Sequence, residues 1–579
     1  MRDMNILGIS GQERDAAAAL VRDGRVVAAI EEEKLARIRH IGINYAGGLP
    51  FRAIEFCLKS ANLTFRDIDC VAYYMEPHKL FHREIAFHSS RAAHTPAPPP
   101  LEEFPSYFVE SLNELKGRLK TRRLVESELS GRGRFVEVAH HLAHGGSAFY
   151  ASGFPRAAVI VLDNRGDMTT TALLRGDGAH LTIDREAAFP NSIGMVYSAV
   201  TAALGFNYTG DWHKTMWLSP TGEPEFRDLF TDLLSVGEDG LPLVNLDYFN
   251  DSFQGTPSLS SRFFERADFK PRAKDEPLAA RHRNIARSLQ ARVEDVLCEI
   301  AARYRERTAE ENLCLAGGVA LNSLANSAIE RRAGFNRLFV QPAAGNAGCS
   351  IGAALYVWHE EMGNAERIYS MEHAFLGPQF DEEEIKSVLD NCKISYEYFL
   401  TEDKLIAEMA RLLAQGRITG WFRGAMEFGP RALGARSILA SPANEYMRDN
   451  LNIFIKHRED FRPFSASVPE ENEEEFFEPS ALTDFLQGVS HIREGKQDLI
   501  PAAVFGDRLV RVHSINRKTN PSFWKLLVKF GEAAGVPVLL NTSFNLFGEP
   551  VVSTPREAVR GFYCSGIDCL AIGNFLIKK

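Results

Sequence analysis

Residues 5–30 read NILGISGQERDAAAALVRDGRVVAAI, and residues 157–184 read AAVIVLDNRGDMTTTALLRGDGAHLTID. Each block opens on an apolar run that predicts a strand and passes through a polar turn. A second apolar run follows, and glycine closes it into a hairpin. The pair Asp23-Gly24 suits a tight turn, because glycine accepts the positive φ that such turns require. Two copies of one strand–turn–hairpin unit predict a duplicated α/β domain with a cleft between its halves.

That layout is the one used by actin-like ATPases and sugar kinases. At 579 residues the chain exceeds what one hydrophobic core holds, so at least two domains are expected. The net charge of −10 argues against a sequence-independent grip on nucleic acid. The opening MRDMNILGIS has no apolar run suited to a signal peptide. No stretch approaches the roughly 18 apolar residues of a membrane span. A cytoplasmic enzyme with neither nucleic-acid nor membrane partner is the expectation. The eight cysteines form no CxxC pair, which fits reduced thiols better than a disulfide framework or a thiolate zinc site.

Further along, residues 281–310 carry apolar residues at helical spacing. The segment ENLCLAGGVALNSLAN (311–326) predicts a buried strand running through Gly317-Gly318 into a helix. A second such unit is RLFVQPAAGNAGCSIGAALYVWHE (337–360). The pattern restarts after residue 367, giving domains 1–367 and 368–579, the second with short strands at 418–422, 437–440, 501–505, 536–540 and 568–572. Residues 82–104, with HTPAPPP, read as an extended excursion.

In FVEVAHHLAHGGSAFY (135–150), His140 and His144 stand four apart, so a helix projects both imidazoles from one face, where they can share a metal ion. Asp163 ends the strand AAVIVLD and is placed to be a third ligand. A helix-start histidine pair satisfied by the backbone is the alternative. Histidine with carboxylate suits Fe²⁺, Mn²⁺ or Zn²⁺ and selects none of them; Fe²⁺ is the working expectation, on grounds other than spacing.

The two glycine loops each precede a helix, where exposed backbone N–H groups hold phosphate. In the C-terminal half, WFRGAMEFGPRALGARSILASP (421–442), NIFIKHREDFRPFSASV (452–468) and LLNTSFNLFGEPVV (539–552) interleave polar, glycine-punctuated turns with apolar strands. Arg431, Arg436 and Lys456 offer strong donors to an anion, and Ser543 and Asn545 add neutral ones. A charged run such as KHREDFR ordinarily marks a solvated face.

Taken together, EEEKLARIRH (31–40), HHLAH (140–144), AGGVALN (316–322), EFGPRALGARSIL (427–439), KHRE (456–459), RPFS (462–465) and NTSFNLFGEP (541–550) resemble the carbamoyltransferase family of nodulation protein U, cephalosporin carbamoyltransferase and tobramycin carbamoyltransferase. The resemblance implies an N-terminal domain similar to the threonylcarbamoyl-transfer enzymes and a YrdC-like C-terminal α/β domain. It implies that carbamoyl phosphate and ATP, with Mg²⁺, condense to carbamoyl-adenylate in the second domain. The carbamoyl group then passes to a hydroxyl or amine of a small natural-product acceptor in the first.

Carried over by position, Arg431, Arg436, Lys456, Arg511 and Ser543 look like carbamoyl phosphate and ATP contacts, with Asn545 beside them. His140, His144 and Asp163 look like metal ligands, and Gly317, Gly318 and Asn322 look like part of a nucleotide pocket. Departures from the family pattern fall mainly in the transfer domain. Arg14 replaces a histidine before Asp15, Asn346 replaces an aspartate metal ligand, and Trp212-His213-Lys214 replaces Glu-Gly-Lys. Ala425 stands where an arginine is usual. Arginine accepts no proton at neutral pH, so Asp15 or His213 is expected to serve as the base, with Arg14 and Lys214 as binding groups.

Other readings stay open at this point. One is an actin-like kinase. Another is a regulatory homologue with a decayed transfer site, and a third is the same adenylate chemistry put to another use. The sequence leaves the oligomeric state open, a homodimer included.

Overall fold

The computed structural model describes residues 3–94, 104–129, 133–250 and 258–579. The first block forms β1 (Asn5–Ser10), β2 (Ala17–Arg22) and β3 (Arg25–Glu31), an antiparallel set. Two parallel strands, β4 (Cys70–Tyr73) and β5 (Arg134–Glu137), extend it to the order β3-β2-β1-β4-β5. The second block forms β6 (Arg156–Gly166), β7 (Thr169–Asp177) and β8 (His180–Ala188). After a small separate hairpin, β9 (Leu234–Val236) and β10 (Pro242–Val244), come β11 (Asn312–Ala316) and β12 (Arg337–Val340). The second sheet runs β12-β11-β6-β7-β8, with β6, β11 and β12 parallel. Order and sense repeat those of the first sheet, so the duplication expected from the two quoted blocks is present as a duplicated α/β fold.

The helix that follows each sheet's last strand crosses to the other sheet. His140–Phe149, after β5, packs on β6 and β11, whereas Cys349–Tyr356, after β12, packs on β1, β2 and β4. Glycine permits this exchange. A Cβ on Gly352 would fall 1.8 Å from the Ala143 carbonyl oxygen, and one on Gly8 would fall 1.8 Å from that of Ser350. Backbone therefore touches backbone along the seam, and the histidine helix begins in the cleft between the halves.

From Met362 to Asp381 the chain is irregular and crosses to the second domain. That domain contains β13 (Glu397–Tyr398), β14 (Thr419–Phe422), β15 (Arg436–Ala440), β16 (Ser465–Pro469), β17 (Ser490–His491), β18 (Leu509–Ile515), β19 (Leu539–Ser543), β20 (Cys569–Ile572) and β21 (Phe575–Lys578). They make one sheet in the order β13-β21-β20-β14-β15-β19-β16-β18-β17. Alternation directs Trp421 and Leu439 to a core under the helices Glu402–Ala414 and Pro521–Ala534. Phe422 and Ile438 go to the core on the opposite face.

Two local expectations fail. Residues 501–505 are not a strand: Pro501–Ala503 is a 3₁₀ turn, and the strands missed are the short β13, β17 and β21 together with β16 and β18, whose serine, arginine and histidine broke the apolar signal. Residues 82–94 are not an extended excursion, because they belong to the helix Pro77–His94. Most of HTPAPPP lies outside the described residues. The predicted helix 281–310 is present as Ala280–Thr308. Among the described residues, no helix is long and apolar enough to cross a membrane.

The two domains are clasped by a buried ion pair. Lys34 is 1% exposed, and its Nζ lies 2.8 Å from Glu31 Oε2 while donating to the Glu427 and Gly429 carbonyls at 2.7 and 2.9 Å. Gly429 N–H donates back to Glu31 Oε1 at 2.8 Å. Glu427 meanwhile accepts the backbone N–H groups of Leu433, Ala435 and Arg436, which closes the GPRALG loop. Burial pushes the Glu31 carboxyl up despite the pull of Lys34, so this charge depends on its partner. Replacing Lys34 with methionine should destabilise the protein by about 3–5 kcal/mol, because it strands a buried carboxylate. Chemical denaturation measures this. Lys59→Met, at the exposed pair with Glu55, should shift stability by less than about 1 kcal/mol.

Candidate active site

The histidine helix and the end of β6 meet as the spacing requires. His140 Nε2 lies 3.0 Å from Asp163 Oδ2, and His144 Nε2 lies 3.7 Å from the same oxygen. One donor atom from each of the three residues falls within 4.8 Å of the others. Gly166 makes room for the first ring: a Cβ there would sit 2.1 Å from His140 Cδ2. Burial alone would raise the Asp163 carboxyl, but the hydrogen bond from His140 and the pull of both imidazoles outweigh it and hold it well below the usual range. Burial pushes His144 down, and neither of its ring nitrogens has a hydrogen-bond partner. His141 points elsewhere, toward a cavity of about 370 Å³ that Glu137, His140, Asp167 and Glu186 also line.

The glycine loops flank this triad. Gly317 adopts φ 93°, and a Cβ on it would meet the Leu162 carbonyl at 2.1 Å, so the chain can pass there only as glycine. Its N–H donates to Ala344 O at 2.8 Å, which joins the two loops, and Gly318 N–H points at Asp163 Oδ1 from 3.4 Å. Asn346 lies on the second loop, two residues beyond Ala344. Asn322 departs from its expected role in a nucleotide pocket. Its Oδ1 caps the helix Ser323–Arg332 through Ala325 N–H, and its amide pairs with Gln290. These bonds take up Oδ1 and one of the two Nδ2 hydrogens, so the side chain has a structural part here.

The cations converge at the domain joint. Arg431 reaches across to the Leu321 carbonyl at 3.1 Å, and its Nε is buried without a partner. Burial, then the charge of Arg462, pushes its guanidinium down to about 10. Lys456 is held well below its usual range by burial and by Arg458, Arg462 and Arg39. Arg511, whose Nε is also buried and unpaired, feels Arg431, Arg462 and Arg458 after burial. His213 is pushed far down by burial and by Arg462, Arg39, Lys214 and Arg431, so it enters this group as neutral imidazole. The carboxylates that contact the group are Glu459 and Asp211. Lys214 bridges the domains to Glu459 at 2.8 Å and also meets Asp211 at 3.1 Å. Lys456 fixes the loop after β19, donating to the carbonyls of Ser543 (2.8 Å) and Asn545 (3.0 Å) and to Asn545 Oδ1 (2.5 Å). Ser543 Oγ donates to that same Oδ1 at 2.7 Å.

Arg436 corrects another expectation. It is 0% exposed, lies 3.7 Å over the Phe422 ring, and gives its guanidinium to the carbonyls of Arg423, Gly424, Ala435 and Pro378. It shapes the loop and offers no terminal N–H to a ligand. Conversely, Arg458 and Arg462 were hidden in the charged run 456–462, and Arg39 in EEEKLARIRH. A run bounded by the apolar NIFI and PFSASV segments was the available signal that these charges are enclosed. Arg14 and Asp15 form a separate pair, Nε to Oδ2 at 3.1 Å, with Arg14 4.8 Å over the Trp212 ring and bound to the Thr209 carbonyl.

This arrangement, two related half-domains with a histidine–carboxylate triad facing a cation-lined joint, belongs to a group-transfer enzyme built on a duplicated α/β fold. Residues 5–355 match the model "Carbamoyltransferase N-terminus" and residues 410–579 match "Carbamoyltransferase C-terminus", so the chain belongs to the carbamoyltransferase family and is a transferase. An uncharacterized protein of Synechocystis sp. is 37% identical, covering 99% of this chain and 97% of its own. Nodulation protein NolNO of Sinorhizobium fredii is 34% identical over 98% of this chain and 79% of its own. Nodulation protein NolO of Bradyrhizobium diazoefficiens is also 34% identical, over 76% and 78%. Among solved structures, component A of the Acidaminococcus fermentans (R)-2-hydroxyglutaryl-CoA dehydratase matches 62% of this chain and 99% of its own at TM-score 0.31 and 13% identity.

A cleft with so little counter-charge should take up a polyanion. Inorganic pyrophosphate at about 100 times its dissociation constant should stabilise the fold by about 2.7 kcal/mol. Thermal unfolding should show a rise of a few degrees that shrinks in high salt. Arg462→Ala should abolish most of it.

Proposed function

We propose that the protein forms carbamoyl-adenylate from carbamoyl phosphate and ATP in the cation cleft and passes the carbamoyl group to a hydroxyl or amine of a small-molecule acceptor beside the triad. The observation that carries this reading is the gathering of Arg431, Lys456, Arg458, Arg462 and Arg511 against the carboxylates Glu459 and Asp211. Water hydrolyses carbamoyl phosphate to phosphate and carbamate, and the carbamate oxygen attacks the α-phosphorus of Mg²⁺-bound ATP and expels pyrophosphate. Every species in that sequence is an anion, and the buried guanidiniums bind and neutralise it.

The triad is fit to hold a divalent ion. It offers two imidazoles and a carboxylate, and His144 keeps both ring nitrogens buried and unpaired. Asn346 adds a neutral amide oxygen from the facing loop. A bound ion would supply Lewis-acid stabilisation of negative charge on oxygen. This donor set accepts Fe²⁺, Mn²⁺ and Zn²⁺ and ranks none of them first. The protein's own part is to align the acceptor, keep water from the labile anhydride and take up a proton. Backbone N–H groups for the nucleotide on this side come from residues 344–347, because those of Gly317 and Gly318 point at Ala344 O and Asp163 Oδ1.

Purified protein given carbamoyl phosphate, ATP and Mg²⁺ should release pyrophosphate, with AMP as the nucleotide product. Lys456→Ala should slow this by roughly 100–1,000-fold, the size of effect seen when one preorganised charge-stabilising donor is lost. ADP as the product, or pyrophosphate formation that ignores carbamoyl phosphate, would overturn the reading. For the triad, Mn²⁺ followed by electron paramagnetic resonance should bind with a stoichiometry of one. His144→Ala should weaken that binding at least tenfold, and unchanged affinity would remove the metal assignment.

A further inference from the structure

An acceptor hydroxyl or amine must surrender a proton as it attacks the carbamoyl carbon, and the groups so far described do not take it. Arg14 is a permanent cation. His213 sits among the cleft cations, and Lys456 spends its donors on the loop after β19.

The turn between β1 and β2 offers a different group. Gln12 N–H donates to the Tyr74 hydroxyl at 2.7 Å, and the Tyr74 ring lies 5.3 Å from that of His140, so this turn borders the triad. At its end, Asp15 Oδ1 lies 2.7 Å from His40 Nδ1. The other carboxylate oxygen is held by Arg14 Nε at 3.1 Å, and Arg14 is itself anchored on the Thr209 carbonyl and Trp212. His40 is fixed from behind as well, its backbone N–H donating to Glu33 Oε2 at 2.7 Å. Asp15 and His40 both adopt left-handed backbone, each at φ 56°, a conformation that bulky residues keep only where the surroundings enforce it.

The pair assigns the tautomer. An ionised carboxylate only accepts, so Nδ1 carries a proton, and in the neutral ring Nε2 is the nitrogen with the lone pair. Nε2 lies 3.4 Å from Arg39 Nη2, consistent with an acceptor there, and the ring is 36% exposed. Arg39, beside this nitrogen, also acts electrostatically on Lys456 and His213, so the ring stands on the side of the cation cleft. Asp15, Glu33 and His40 also come close enough to hold a cation. However, Arg14 already neutralises Asp15, Arg39 flanks the ring, and 2.7 Å is a hydrogen-bond length, so a proton fits this place better than a metal.

We propose that His40 is the general base toward the acceptor, held in its reactive tautomer by Asp15, with Arg14 positioning Asp15. The proposal rests on the carbamoyl-adenylate reading above. The acceptor's O–H or N–H proton moves to His40 Nε2 as the acceptor atom bonds to the carbamoyl carbon. The bond from that carbon to the AMP phosphate oxygen breaks, AMP leaves with the electron pair, and His40 returns its proton to solvent.

The test uses water as acceptor. First-turnover pyrophosphate reports adenylate formation, and sustained AMP release reports transfer. The ratio of AMP turnover to first-turnover pyrophosphate should fall at least tenfold in His40→Gln and in Asp15→Asn. Hydroxylamine, which attacks before it loses a proton, should restore turnover in both variants. Nitrogen-15 NMR of the wild type should show His40 protonated on Nδ1. An Nε2–H tautomer, an unchanged ratio, or a loss that hydroxylamine does not relieve would overturn the proposal. So would a second Mn²⁺ equivalent that disappears in His40→Gln. Absence of pyrophosphate from the wild type would refute the adenylate reading instead, and the NMR result tests His40 independently of it.

Discussion

One buried ammonium joins the two halves of the chain. Lys34 neutralises Glu31 and bonds to two carbonyls of the GPRALG loop, while Glu31 accepts from the same loop. Neither domain satisfies these groups alone, since a lone buried charge of either sign is costly. Everything at the joint follows from that constraint. It sets Arg431 against the Leu321 carbonyl at the end of the first glycine loop, and it places Glu459 where Lys214 meets it. Arg37 adds to the clasp from the next turn by bonding to the carbonyls of Pro550 and Val551. The segment EEEKLAR is therefore the hinge plate of the molecule, and its charges face protein.

The cleft so formed trades stability for function. Burial, and after it the charge of neighbouring arginines, pushes Lys456, Arg458 and Arg511 far below their ordinary range, so their charged forms are disfavoured in the unliganded site. A polyanion reverses the sign of that term. Such sites are expected where a protein spends stability on binding, and the fold offsets it elsewhere through the Lys34 clasp and the glycine-to-backbone seam between helices.

How much of this was legible in the sequence depended on whether the signal was periodic or directional. The duplication was legible because both copies combine apolar strands with a glycine-closed turn. The triad was legible because a four-residue spacing fixes two side chains on one helix face. The structural parts played by Asn322 and Arg436 were not legible, for the opposite reason. Residue type and motif position were right for ligand binding, but side-chain direction is set by tertiary neighbours, Gln290 in one case and Phe422 with four carbonyls in the other. Arg458 and Arg462 were missed because a charged run ordinarily faces water. Here the helical turn Leu451–Ile455 before it and β16 after it fold it inward. His40 lay in plain view, yet only the fold brings it to Asp15 across 25 positions of chain.

The two chemical tasks are held in physically different ways, and that difference bears on how the chain evolves substrate choice. The cation cleft is assembled from buried side chains whose positions are fixed by backbone contacts across the domain joint, so altering one disturbs both domains. The Arg14–Asp15–His40 network stands at the rim, on turns with left-handed backbone and one partly exposed ring. Substitutions there leave the Lys34 clasp in place, whereas His213 and Lys214 belong to the joint, through the cleft cations in one case and Glu459 in the other.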